Sequence, residues 1–302
     1  MEARYILGVC AAIVAGVLFN VGTVVQKLAV MQSGAESGLM KRLLRSPNWI
    51  AGLLIQMLLG SPLNLLALGL IGPAIVPGLS SVGLIVLAFG AVRFAKERFR
   101  APEIAGIALV MAAVALFGIS GLSVDVRAAG AYETAFVARL ACFSGVIALL
   151  CAGCSIVQKR RPQWAGILRT LDAGLLLSLS NLWLGVLTVL LLDWVQARFA
   201  LRLLPYIVVV SAVVATSGMR AIAQTQRAFA VGEASKLIPI QYVPSQIAPV
   251  LAYVLVFQLR FESMFALLTT LSAVVCVLAG SALLAGRQLA QEPHEPVPRE
   301  AQ

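Results

Sequence analysis

Apolar stretches long enough to cross the roughly 30 Å hydrocarbon core of a bilayer recur nine times along this sequence. They cover residues 6–25, 49–71, a third stretch ending at 93, then 104–119, 135–157, 171–192, 205–226, 234–257 and 261–284. Such a chain has few options. In lipid every backbone N–H and C=O must find its partner within the protein, so continuous apolar runs of this length fold as helices. The expected fold class is therefore all-α, a polytopic membrane protein of about nine transmembrane helices. Composition agrees: 60% of the 302 residues are hydrophobic and 12% are charged, against about 25% charged in soluble domains.

The formal net charge of +10 reads as a topology signal, because most Lys and Arg residues lie in short loops between the apolar stretches. With the amino terminus outside, about 15 of them fall on the cytoplasmic side and about six outside. That bias orients the chain in a cell (inner or plasma) membrane with its carboxyl end in the cytoplasm. No basic run is interleaved with aromatics, so nucleic acid is not an expected partner.

The five cysteines, Cys10, Cys142, Cys151, Cys154 and Cys276, all lie in apolar segments and read as free thiols packed among helices. His294, the single histidine, is in the polar tail. No Ser-His-Asp set and no histidine-based metal site can be assembled within the membrane, so no enzyme activity, cofactor or bound metal is expected. The expected partners are the lipid bilayer and a small-molecule or ion substrate, and a homodimer is one assembly this reading allows.

Polar groups and helix breakers collect in residues 217–249. Arg220, Gln224 and Arg227 are spaced four and three apart and so share one helix face. Lys236 and Gln241 follow, with Pro239, Pro244 and Pro249 set five residues apart. Each proline removes a backbone donor and disturbs the carbonyl four residues earlier. Pro239 and Pro244, together with Pro77 in the third stretch, are the expected helix breaks and gates. The expected substrate-binding residues are Asn20, Asn64, Asn181, Arg220, Gln224 and Gln241. An intramembrane charge is costly and usually marks a pathway, so an anion meeting Arg220 is the substrate chemistry these residues suggest.

An internal repeat is also visible. Pro77 and Pro239 lie 162 residues apart, as do Arg98-Phe99 and Arg260-Phe261, and Gly118 and Gly280; Asn20 and Asn181 differ by 161. These matches fall at corresponding places in the helix order. They divide the chain into a four-helix repeat at 1–121, a linker helix with its loops at 122–169, a second four-helix repeat at 170–286 and a disordered cytoplasmic tail at 287–302. The linker helix adds one crossing, so the second repeat is inverted relative to the first, an architecture recurrent in secondary transporters.

The phrases NLLALGLIGPAIVPGLSSVGLIVLAFGAVRFAKERF with PEIAG, and AQTQRAFAVGEASKLIPIQYVPSQIAPVLAYVLVF, resemble the drug/metabolite transporter superfamily over nearly the whole chain. The nine-span count and the run from Pro239 to Val243 are similar to its NIPA-like magnesium-transporter branch; EamA-like exporters are the other comparison. The resemblance implies two four-helix halves around a central cavity. It also implies alternating-access transport of a small polar metabolite, for which Arg220 suggests an anion, or of Mg2+ in the NIPA-like reading. A non-transporting membrane scaffold is the alternative of a different class. The first stretch holds no carboxylate after Glu2, where small-multidrug-type relatives carry a glutamate.

Overall fold

The computed structural model describes residues 2–33, 38–71, 76–80, 82–94, 101–120, 133–196, 201–261 and 263–291. Within them the chain is helical. The first half comprises α1 (Glu2–Ser33), α2 (Leu39–Leu43), α3 (Pro47–Leu54), α4 (Ser61–Ile71), α5 (Val76–Ser80), α6 (Gly83–Arg93) and α7 (Ala101–Ile119). Then follow α8 (Thr134–Arg160), α9 (Ala165–Gln196), α10 (Leu204–Val231), α11 (Ala234–Leu255) and α12 (Met264–Gln291).

Among the described residues eight helical segments are long and apolar enough to cross a membrane, rather than nine. The third stretch is not among the eight: its described residues form two short helices, α5 and α6. At Ser80 and Gly83 the chain runs against the backbone of α1, so close that a Cβ on Gly83 would lie 2.1 Å from the Gly16 carbonyl oxygen. Contact of that kind is open only to small residues, and the residues that permit it are poor at sustaining a helix. Pro77 lies inside α5, and residues 72–75 and 81 lie outside the described set.

The expected breaks at Pro239 and Pro244 are a second correction, since α11 runs unbroken through Pro239, Pro244 and Pro249. The carbonyls that lose their N–H partner are those of Ser235, Ile240 and Ser245. Hydroxyls of neighbouring helices hold α11 at the proline carbonyls: Ser178 on α9 donates to that of Pro244 at 3.0 Å and Ser281 on α12 donates to that of Pro239 at 3.3 Å. At the carboxyl end α12 continues to Gln291, so residues 287–291 are helical where a disordered tail was expected; residues 292–302 lie outside the described set.

Two long helices organise the packing. α1 lies against α3, α4, α5 and α6, while α9 lies against α10 and α11 and carries α8 on its outer side. α7 and α12 pair with each other. Large apolar side chains such as Leu58, Leu65, Phe89, Leu149 and Val275 point outward and are exposed, the surface a helix bundle presents to lipid rather than to water.

Basic residues gather at one end of the bundle. There Lys27 of α1 donates at 2.5 Å to both the Phe229 and Gly232 carbonyls, so it caps the carboxyl end of α10, where a cation is favoured. Arg169 of α9 donates to the Arg227 carbonyl at 3.0 Å. At the opposite end Arg139 of α8 donates to the Val256 carbonyl at 2.9 Å.

Candidate functional site

A cavity of about 460 Å³ opens between α1, α3, α9, α10 and α11. Its construction starts with glycine. A Cβ on Gly22 would lie 2.5 Å from Gln56 Cγ, and one on Gly52 would lie 2.9 Å from Gln26 Cγ. Absence of side chains at these two positions leaves room for two long amides between α1 and the second stretch. Gln56 itself sits in a π-helical turn, Ile55–Gly60, which joins α3 to α4. The turn precedes Pro62, which lacks an N–H, and Ser61 donates to the Gln56 carbonyl at 3.1 Å. Turns of this type often mark functional sites, and here one carries a cavity residue.

The amides form a chain with a direction. Gln226 of α10 donates through Nε2 to Gln26 Oε1 at 2.7 Å, and Gln26 donates through Nε2 to Gln56 Oε1 at 2.9 Å. Gln56 in turn donates to the Phe19 carbonyl at 2.8 Å and to Thr23 Oγ1 at 3.1 Å. Three glutamines thus tie α1, the π-helical turn and α10 across the cavity. Gln241, Thr225, Ser180, Ser245 and Tyr242 supply further polar groups on the wall, and Phe19, Leu53, Ile222, Phe229 and Ile238 supply apolar ones. No charged side chain is among the described lining residues.

The sequence-predicted residues divide between this cavity and other places. Gln241 lines it. Arg220, expected inside, is exposed on α10 and is not part of the wall. Its helix turns Ala221, Thr225 and Gln226 toward the cavity instead, so the face bearing Arg220, Gln224 and Arg227 points elsewhere. Gln224 hydrogen-bonds the buried Asp172 carboxylate of α9 and lines a separate cleft with Arg169, Arg227, Lys159 and Gln158. Asn20 is buried and donates to the Gly16 carbonyl at 2.8 Å, a bond within its own helix. Asn181 is exposed in a smaller pocket between α8, α9 and α11, and Asn64 is half-buried on α4; neither reaches the cavity wall.

Two features were not foreseen. Gln26, Gln56 and Gln226 are not among the expected site residues, although an uncharged amide inside an apolar run already demands a partner. Glu103, just ahead of the fourth apolar stretch, is fully buried in the first turn of α7 and faces Lys236 of α11 at 3.3 Å. Lys236 is fully buried as well and meets Glu233 at 2.8 Å. Among the described residues no group of three or more His, Cys, Asp or Glu side chains could hold a metal ion.

Comparison with known proteins finds no matching family model, no matching curated protein and no matching solved structure.

Proposed function

We propose that this chain is a secondary transporter or exporter that moves a small, polar, uncharged solute across a cell membrane by alternating access. The observation that carries the proposal is the amide-lined cavity between helices of the two halves. A scaffold has no need of such an interior, since every buried amide must be kept bonded. The solute reading replaces the anionic one, because Arg220 lies outside the wall and the lining offers a neutral set of donors and acceptors. It also disfavours Mg2+, which prefers carboxylate oxygens and surrenders its water reluctantly.

Packing supports the two-repeat reading within this proposal. α1 against α3, α4 and α6 matches α9 against α10 and α11, with α8 left over as the linker. Each half holds a tight contact at a glycine of its long helix, Gly16 against Gly83 and Gly174 against Gln241. Between the halves, α7 and α12 meet reciprocally: each of Gly106 and Gly280 lies under the carbonyl of the other. The likeness to drug/metabolite transporters noted in the sequence belongs to the same proposal.

The basic end of the bundle is assigned to the cytoplasm; with α5 and α6 together making a ninth crossing, this puts the amino terminus outside and the carboxyl terminus inside. A reporter active only in the cytoplasm, fused after Gln302, should give full signal. A silent fusion beside an active one at the amino terminus would reverse the orientation.

Transport is tested by uptake into proteoliposomes, with small polyols and amides, anionic metabolites and Mg2+ offered side by side. Neutral solutes should enter, and Arg220→Gln should leave their rate within about twofold of wild type, because the side chain is exposed and apart from the cavity. Saturable Mg2+ entry without neutral-solute entry would replace this reading with the cation-transporting one.

A further inference from the structure

We propose that Gln226 selects the solute by accepting a hydrogen bond from it, so that the ligand is an uncharged compound bearing hydroxyl or amide N–H donors. The inference rests on the central cavity being the solute site and adds the polarity of the recognition.

Its basis is the direction of the amide chain. A glutamine side chain can in principle be turned to exchange its nitrogen and oxygen, and ordinary geometry does not distinguish the two. Here one end of the chain removes the choice. The Phe19 carbonyl can only accept, so the Gln56 atom beside it must be the donating Nε2. Gln56 Oε1 is then fixed as the acceptor for Gln26 Nε2, and Gln26 Oε1 as the acceptor for Gln226 Nε2. Each link forces the next. The last atom, Gln226 Oε1, is an acceptor without a hydrogen-bond partner, on a residue 1% exposed that lines the cavity.

Gln226 Oε1 is buried in the wall, so a solute reaches it as the side chain shifts on entry, and only a donor satisfies it. A solute that offers just ether or tertiary-amide oxygens leaves Gln226 Oε1 unbonded and sets oxygen against oxygen. An ammonium would satisfy it but would bring a charge into a wall that has no carboxylate among its described residues. Hydroxyls and amide N–H groups remain. Gln241 and the Thr225 and Ser245 hydroxyls stand on the same wall, so a solute with several such groups, a polyol or a primary amide, matches the lining best.

The experiment measures binding to the purified full-length chain in detergent by ligand-observed NMR, with matched pairs of probes. Erythritol is compared with its fully O-methylated ether, and acetamide with N,N-dimethylacetamide. Donor-bearing members should bind saturably and at least about tenfold more tightly than the blocked ones, since a site built to hydrogen-bond a group rejects the analogue that lacks it. Gln226→Met, which keeps the length and removes the acceptor, should erase that preference. Equal binding of blocked and unblocked probes by the wild type, or no saturable binding of either, overturns the inference without recourse to any variant. Binding needs no transport, so the two readings fail separately. Donor-selective binding without uptake refutes the transporter, whereas uptake indifferent to methylation refutes the role of Gln226 alone.

Discussion

Lys236→Met should destabilise the protein by about 3–5 kcal/mol, the usual consequence of breaking a buried ion pair from one side. Lys236 and Glu103 are each fully buried, 3.3 Å apart, and they join α11 to α7. Removing the ammonium leaves Glu103 without the cation it faces, in surroundings of low polarity. Glu233, the second carboxylate on Lys236, is 30% exposed and stands just before the first turn of α11, where the helix dipole favours an anion. Its loss of Lys236 should therefore matter less. Adding Glu103→Gln to Lys236→Met should restore a large part of the lost stability, because a neutral amide needs no counter-charge. Denaturant titration of the four proteins of this cycle, followed by circular dichroism in detergent, gives the coupling. A double variant as unstable as Lys236→Met would show that the ammonium acts through packing or through Glu233 and not through Glu103.

That ion pair also marks a boundary of what the sequence reveals. Helix positions were legible because apolar runs of spanning length admit one backbone solution in lipid. The rotation of each helix was much less so. In a soluble helix the apolar face points inward, but in a bilayer the outward face is apolar too, and the hydrophobic contrast that orients the helix disappears. Arg220, Gln224 and Arg227 were correctly placed on one face of α10. Nothing in their spacing said that this face turns away from the cavity and that Gln226, two residues from Gln224, turns toward it. Glu103 was hidden for another reason: it stands beside a basic loop, and a loop assignment predicts exposure. The two corrected helices have a common origin. A proline or glycine in a sequence reports the backbone donor or side chain that is missing, whereas the outcome depends on what the neighbours supply. Around α11 the flanking helices hold the proline carbonyls through the Ser178 and Ser281 hydroxyls, and the helix persists. At Ser80 and Gly83 the α1 backbone approaches instead, and only small residues fit there.

The same dependence on neighbours gives the second large effect, in which one substitution made at two kinds of glycine should change stability in opposite directions. Gly174 of α9 sits where α11 crosses, and a Cβ there would lie 2.5 Å from both the Gln241 carbonyl oxygen and Pro244 Cγ. Neither group can give way easily, one being backbone and the other a proline ring inside a helix. Gly174→Ala must therefore move α9 and α11 apart. Such overpacking costs about 1–3 kcal/mol or more, and it displaces Gln241, which lines the cavity. Gly145 and Gly153 of α8 have nothing within 4 Å of the position a Cβ would take. Alanine at either should gain the helix-propensity difference alone, at most about 1 kcal/mol. All three variants carry the same chemical change in the same background, so their difference isolates the contact. Measured by denaturant titration together with solute binding, Gly174→Ala should lose both stability and affinity, while Gly145→Ala and Gly153→Ala should keep affinity and match or exceed the wild type in stability. Should Gly174→Ala bind and unfold like the α8 variants, α9 and α11 would not be in contact at this point, and the wall that holds Gln241 in the cavity would have to be redrawn.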